Sequence, residues 1–380
     1  MAGRGVLTVN RVGFLGGVER VLVTLAAGLP DCGYHPTLLC PDEGALAAAA
    51  RAEGIAVATF PLDRMRITAD PRVLARYPLG WWCGARQVLR AAERTRARLI
   101  HVHHPVGALY AIPAARRLGL PLVLHVHEVL PAKPMYAWAL RLAVRRAARI
   151  LCVSDSARAL LSVTSADPAR VQVIHNGLDR RFLAGGITPA PEVSGPGPHI
   201  GVFGVIEPRK GQDVFLAAAA ALARRYPAAQ FWIVGPLALA DKAGFRVRLE
   251  ALAAQPGLAG RVHFTGFRPD VARWMLAMDV VALPSVGQES FGMVLAEALA
   301  LGRKVVASAT GGTAEAIADG VTGRLVPPGD AAALAAAVAG LLEADAEGTG
   351  ARAAAATRAR FAPELFCRRV AAVYDELLAG

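Results

Sequence analysis

Residues 280–308 read VVALPSVGQESFGMVLAEALALGRKVVAS. Two apolar runs, VVALPS (280–285) and KVVAS (304–308), bracket a longer stretch rich in alanine and leucine. The runs are short, continuous and valine-rich, which predicts strands buried on both faces. The stretch between them, 290–301, has the composition of a helix. Strand, helix and strand within about 30 residues make a parallel β-α-β unit. The rest of the chain repeats that unit.

In the first half, VLTVN (6–10), TLLC (37–40), VATF (57–60), LIHVH (99–103), LVLHVH (122–127) and ILCVS (150–154) read as strands. Helices are expected over 18–29, 44–53, 85–96, 107–118 and 136–148. Residues 184–198, AGGITPAPEVSGPGP, break the pattern and read as a linker. A second series follows: HIGVFG (199–204), FWIVG (231–235), VHFTG (262–266), VVALPS, KVVAS and GRLVPP (323–328). Its helices are expected over 211–226, 241–254, 269–277, 290–301, 312–319 and 330–343, with a last helix over 363–379. The fold class is therefore α/β, with two Rossmann-like doubly wound domains. The expected division is 1–183, a linker over 184–198, 199–360, and a C-terminal segment over 361–380. Two such domains place their strand ends around one cleft, the default ligand site.

The chain has 380 residues and is 54% hydrophobic, enough for two folded cores. The apolar run AAALAAAVAGLL (331–342) is too short to span a bilayer. The N-terminus lacks a sustained apolar segment, so no signal peptide is expected. Five scattered cysteines without a CxxC read as reduced thiols in a cytoplasm. The net charge of +12 is uneven. Residues 1–190 hold 24 Lys+Arg against 12 Asp+Glu, and residues 191–380 hold 18 of each. The whole excess lies in the first half, which suggests a surface facing something anionic.

Several nucleotide chemistries are disfavoured. GFLGGVE (13–19) has the wrong spacing for GxGxxG, and GVIEPRKG (204–211) lacks the terminal hydroxyl of a P-loop. No GxSxG elbow is present.

Glu289 and Glu297 are the two carboxylates of the opening stretch. Continued helix between them would span about 800°, or two turns and 80°. They are too far apart for a paired acid and base. They suit hydrogen bonds to separate polyols of one extended ligand. Ser290 is expected to cap the helix, whose free N–H groups favour hydroxyls or phosphates.

Nearly the whole chain resembles the retaining GT-B glycosyltransferases of the family-4 type, also described as glycosyl transferases group 1. The motifs that carry the resemblance are GGVER (16–20), HVHE (125–128), RILCVSDSAR (149–158), VIHNGLDRRF (173–182) and GVIEPRKGQD (204–213). They continue with VHFTGFRPDV (262–271), MDVVALPS (278–285), the two spaced glutamates and ATGGTAEAIADGVTGRLVPPGD (309–330). The resemblance implies a GT-B fold whose C-terminal helix returns to the N-terminal domain. It implies that Glu289 binds donor-sugar hydroxyls and that the backbone at Ser290, Phe291, Gly292 and Met293 faces sugar and phosphate. Glu297 would bind the ribose, Lys210 the diphosphate, and Gly17 would let the first loop approach that diphosphate. His127 would contact the donor sugar near the reacting carbon, and Arg268 would stack on the nucleobase. The catalytic set is then His127, Glu289 and Lys210, with no metal and no cofactor.

One departure stands out. The family commonly has arginine where this chain has Val205, and Arg209 beside Lys210 is the candidate replacement. The histidines of LIHVHH (99–104) and LVLHVHE (122–128) fall pairwise on shared strand faces. With Glu128 they form a candidate metal cluster, but a sugar contact from His127 is preferred, with His103 and His104 lining the cleft. Arg86, Arg90 and Arg94, and Arg141, Arg145 and Arg149, form two basic stripes near RYPLGWWC (76–83). They read either as solvated helix faces or as contacts to an anionic membrane or acceptor.

The expected activity is retaining transfer from a UDP-sugar, ahead of a GDP-sugar, to a hydroxyl on a lipid, glycan or small secondary metabolite. The alternatives are a GT-B-like phosphorylase or sugar epimerase, and a basic nucleic-acid-binding protein. The last lacks any nucleic-acid module, so no nucleic-acid partner is expected. The expected location is cytoplasmic, with peripheral contact at an anionic membrane face.

Overall fold

The computed structural model describes residues 4–61, 70, 72, 77–127, 134–238, 244–344 and 349–379. The chain forms two compact units, Met1–Asp179 with Ala362–Gly380, and Arg180–Phe361.

The first unit holds a seven-stranded parallel sheet. Its strands are β1 (Arg4–Val9), β2 (Tyr34–Cys40), β3 (Ala56–Thr59), β4 (Ala97–Val102), β5 (Leu122–Val126), β6 (Arg149–Cys152) and β7 (Val171–Val173). Their order is β3-β2-β1-β4-β5-β6-β7. All six predicted strands are present. The seventh, VQV, is too short and too polar to show an apolar run. Burial explains the continuous runs, since every residue of β5 is buried.

The second unit holds six parallel strands: β8 (His199–Phe203), β9 (Gln230–Val234), β10 (Val262–Gly266), β11 (Val280–Leu283), β12 (Lys304–Ser308) and β13 (Arg324–Val326). Their order is β10-β9-β8-β11-β12-β13. On one face Ile200, Phe231, Val280 and Val306 pack with Phe215, Leu222, Leu334 and Val338 from two helices. Burying each such side chain contributes about 1.5–3 kcal/mol.

The sheet order reverses direction once in each unit. Successive strands grow outward from β1 to β3, and then from β4 to β7 on the other side. The same reversal falls between β8 and β11. At such a point the outgoing loops of adjacent strands diverge and leave a crevice for ligands.

Four expectations change. First, residues 184–198 are part of the second unit, and the division falls at Asp179 and Arg180. The Pro/Gly-rich segment forms no helix or strand, yet it is packed. Ala190 is buried and its N–H donates to Arg273 O, while Arg273 Nε donates to Thr188 O. Second, the helix expected at 85–96 runs over Tyr77–Arg94. Pro78 near its start does not break it, because a first-turn N–H has no intrahelical acceptor to lose. Third, Arg149 belongs to β6, and it pairs with Glu376 at 3.4 Å instead of extending a helical stripe. Fourth, Thr349–Arg360 is an additional helix. It packs on the helix Met293–Ala300, and Arg358 Nε donates to Ala300 O at 2.8 Å.

The C-terminal helix, Pro363–Ala379, joins the first unit. It crosses the helix Gly17–Gly28, and Tyr374 meets Tyr34 edge to face at 5.1 Å. Asp375 accepts hydrogen bonds from Tyr34 and Arg4. Gly28 lies so close that a Cβ there would overlap Cys367 Sγ. Gly28→Ala should cost about 1–3 kcal/mol of first-unit stability through overpacking. Adding Cys367→Ala should restore part of it. Thermal unfolding of the single and double variants measures both changes, and equal losses in the two would exclude this contact as the cause.

Candidate functional site

β8 and β11 are adjacent and parallel, with Val280 opposite Ile200 and Ala282 opposite Val202. Their outgoing loops therefore emerge side by side. The β8 loop ends in a short 3-10 turn, Pro208–Lys210. The β11 loop runs through Ser285 to Glu289 and into the helix Met293–Ala300. Two further bonds tie the loops together, since Val286 N and Gly287 N both donate to Arg209 O.

Glu289 is 6% exposed and is held by donors on one carboxylate oxygen. Ser285 Oγ donates to Oε1 at 2.6 Å, Lys210 Nζ at 2.7 Å and Arg209 Nη1 at 3.4 Å. A buried carboxylate needs such partners, because losing water without them is strongly unfavourable. Arg209 also donates from Nη2 to Glu207 Oε1 at 2.7 Å. Arg209 and Lys210 thus reach the same carboxylate although they are neighbours in sequence. Their side chains are 45% and 17% exposed, so Lys210 is the more enclosed cation.

The backbone of Glu289 is fixed from behind. Gly312 N donates to Glu289 O at 2.8 Å. A Cβ on Gly311 would overlap Glu289 O, and one on Gly312 would overlap Ser290 O. The two glycines permit this backbone-on-backbone approach. Thr313 Oγ1 donates to Ser308 O and accepts from Thr310 N, which holds the turn that carries them. Ser285, Gly311 and Gly312 were not among the expected site residues. Their sequence signals were a serine at a strand end and a Gly-Gly pair after the following strand.

The expected helix geometry shifts. Ser290 is not the cap, since the helix begins at Met293 with Gly292 preceding it at φ +82. A left-handed residue there ends any helical continuity with Glu289. Glu297 is therefore only about one turn inside the helix, by the 3.6-residue period. Phe291 points its ring into the core, edge to face with Phe361 at 5.3 Å, so only its backbone can serve a ligand.

Arg268, the expected nucleobase-stacking residue, sits against an aromatic side chain of its own unit. Its guanidinium lies over the Trp274 ring at 4.6 Å. It helps line a cavity of about 470 Å³ with Trp232, His263 and Trp274. A guanidinium is planar and has two faces, so stacking on the indole occupies one of them.

In the first unit, the loop after β1 is pinned by Glu19. Its Oε2 accepts the Gly16 N–H at 3.1 Å, and Asn10 Nδ2 donates to Val12 O. Gly17 starts the next helix, and a Cβ there would meet nothing within 4 Å. His127 follows β5 and is buried, with Nε2 2.9 Å from His103 Nδ1. Burial pushes the His127 imidazolium down to about 3, so the ring is neutral near pH 7. His104 is a helix cap, since its Nδ1 accepts the Val106 N–H at 3.1 Å. Glu128 lies outside the described residues.

Replacing Lys210 by methionine should destabilise the second unit by about 1–3 kcal/mol, because Glu289 keeps its charge with one donor fewer. Combining Lys210→Met with Glu289→Gln should recover part of that loss. Thermal unfolding gives the coupling, and additive losses would show that the pair contributes nothing.

The sequence pattern of Glycosyltransferase Family 4 matches residues 15–182, and that of Glycosyl transferases group 1 matches residues 197–344. D-inositol 3-phosphate glycosyltransferase of Mycobacterium ulcerans is 35% identical over 291 residues, 70% of this chain and 61% of that protein. D-inositol 3-phosphate glycosyltransferase 2 of Catenulispora acidiphila is 36% identical over 273 residues, 65% of this chain and 62% of that protein. The chain thus spans about 60% of the length of these relatives. Anabaena HepE, solved with UDP and glucose, is similar in fold at a TM-score of 0.81 and 26% identity, over 97% of this chain and 99% of that one. Sucrose-phosphate synthase of Thermosynechococcus elongatus shares the fold at a TM-score of 0.80 and 21% identity, over 99% of each chain. With glycosyltransferase patterns over both units and two parallel Rossmann-like sheets of GT-B type, the chain belongs to the group 1, family-4 glycosyltransferases.

Proposed function

We propose that this chain transfers a sugar from a UDP-sugar to an acceptor hydroxyl, with retention at the anomeric carbon. The observation that carries the reading is the convergence of Lys210, Arg209 and Ser285 on the buried Glu289 at a sheet switch point. HepE, at 26% identity, is solved with UDP and glucose.

The chemistry follows from charge. An arriving diphosphate competes with Glu289 for Lys210 and Arg209, and charge-assisted bonds to phosphate are strong. Sugar hydroxyls then take the vacated acceptor positions on Glu289. The N–H groups at Phe291, Gly292 and Met293 add donors at the helix start, with Ser290 beside them. Arg209 fills the role that the family gives to an arginine at the Val205 position. Glu297 holds the ribose hydroxyls. His127 contacts the donor sugar, and Gly17 gives the diphosphate a backbone approach. Stabilising the departing diphosphate is the main catalytic demand, and preorganised cations and dipoles meet it. No enzymic nucleophile is then required, because the leaving phosphate assists deprotonation of the acceptor as it attacks the same face.

The acceptor is best sought among small anionic polyols. The relatives above are named for inositol phosphate, and the excess positive charge lies wholly in residues 1–190. Like charges would disfavour a cationic acceptor.

A second surface feature supports contact with an anionic membrane. Leu79, Trp81, Trp82 and Trp138 are exposed, as are Arg86, Arg90, Arg94, Arg141 and Arg145. They lie on the helices Tyr77–Arg94 and Pro134–Arg146, which both pack on Pro105–Leu118. Exposed tryptophan beside arginine suits the headgroup region. No helix among the described residues is long and apolar enough to cross a membrane.

Glu289→Gln and Glu297→Gln should each lower kcat/KM for UDP-sugar turnover roughly ten- to hundredfold, the range for a lost charged hydrogen bond. A nucleotide-sugar panel read by UDP release tests this. Full turnover in both folded variants would sink the donor assignment. For the membrane contact, flotation with anionic vesicles should fall on adding salt and in Trp81→Ser/Trp82→Ser. Flotation that is equal with neutral vesicles would remove the contact.

A further inference from the structure

β4 and β5 are neighbours in register, with His101 opposite Val123 and Val102 opposite Leu124. Alternation puts His101, His103, His125 and His127 on one face. Their rings form a compact array. Centroids are 4.3 Å apart for His101 and His103, 4.0 Å for His125 and His127, and 5.4 Å for His103 and His125. All four side chains are buried.

Four imidazoles are an unusual filling for a core. Each neutral ring carries one N–H donor and one lone-pair acceptor, and both lose water on burial. Five of the eight ring nitrogens are buried without a hydrogen-bond partner: His101 Nε2, His103 Nε2, His127 Nδ1 and both nitrogens of His125. Buried polar atoms are ordinarily satisfied, so a cluster of orphans calls for a partner.

We propose that His101, His103 and His125 form a binding site for a divalent transition-metal ion of the zinc class. Each offers a ring nitrogen, and the three atoms lie within 4.8 Å of one another. Two of the three rings already have their other nitrogen engaged. His101 Nδ1 lies 2.5 Å from Tyr374 Oη, and His103 Nδ1 lies 2.9 Å from His127 Nε2. Metal-bound imidazoles are held in this manner, with one nitrogen on the ion and the other on an orienting partner. The neutral imidazole is the form that ligates.

The donor set selects the ion. Nitrogen-only ligands suit zinc and its neighbours, whereas calcium and magnesium take oxygen. With zinc–nitrogen distances of about 2.0–2.1 Å, tetrahedral ligands stand about 3.3 Å apart. The three nitrogens, at most 4.8 Å apart, close by rotating their rings. A three-histidine site keeps a fourth position, which hydroxide or another anionic oxygen fills while offsetting charge. The ion also fixes protons nearby. With metal on His103 Nε2, the ring carries its proton on Nδ1 and donates it to His127 Nε2. His127 then carries its own proton on Nδ1. None of the three proposed ligands belongs to the Glu289 cluster of the second unit.

The test uses the full chain, expressed without a polyhistidine tag in zinc-supplemented medium. Mass-spectrometric metal analysis should find about one zinc per chain, the stoichiometry of a mononuclear three-histidine site. Zinc-edge X-ray absorption on the same sample should show an imidazole nitrogen shell at about 2.0 Å. Cobalt added to the metal-free chain should give the visible bands of four-coordinate cobalt. His103→Phe and His125→Phe keep an aromatic ring but remove the donor, and each should weaken cobalt binding by roughly tenfold or more. Circular dichroism checks that they fold. A parent chain that retains no zinc and gives no cobalt bands would overturn the proposal. Folded variants that bind cobalt like the parent, or a zinc edge without imidazole nitrogen, would overturn it equally.

Discussion

Parallel strands release every outgoing loop at the same edge of a sheet. This constraint decides where chemistry can sit in the present chain. Where the strand order reverses, two neighbouring loops run to opposite faces and leave a crevice. Between β8 and β11 that crevice receives Lys210 and Glu289, which are 79 residues apart in sequence and 2.7 Å apart in space. The same rule gathers the loop after β1 and the histidines after β4 at one edge of the first sheet.

The buried carboxylate of Glu289 gives that arrangement its specificity. A charge 6% exposed is tolerable only because a hydroxyl, an ammonium and a guanidinium converge on it. The groups that stabilise Glu289 are also the groups that a diphosphate would recruit. In the proposed donor complex the arriving diphosphate takes over these cations, so the resting ion pair and the donor complex use the same groups in turn. Gly311 and Gly312 make this possible by letting one backbone rest directly on another.

The strands were legible because burial on both faces leaves a continuous apolar run. VVALPS and KVVAS became β11 and β12 within two residues of the expected bounds. Short or polar elements were not legible. β7 has Gln172 at its centre, and the helix Thr349–Arg360 shows alanine and arginine rather than an apolar stripe. Helix starts were misplaced where the decisive signal is a dihedral angle. Ser290 is a good cap by composition, but Gly292 at φ +82 sets the start. Residues 184–198 looked like a free linker because Pro and Gly exclude helix and strand. Their packing depends on Arg273, 85 residues from Thr188. Arg149 reads from neighbouring sequence as part of a helical stripe, and Glu376 on the returning helix, far along the chain, is its partner instead.

The sequence by itself determined the α/β class, the two series of strands, the family resemblance and the identity of the charged residues at the loop ends. These are local properties, set by apolar periodicity and by which residue types occupy a strand's exit. Tertiary structure alone decided that Arg209 and Lys210 share one carboxylate with Ser285, and that Phe291 turns inward. It alone joined the last helix to Tyr34 and His101, and collected four imidazoles on one sheet face with five nitrogens unpaired. Such facts rest on strand order and on side-chain direction across a sheet. Neither is encoded in the spacing of residues along the chain, because both arise when distant segments compete for the same buried volume.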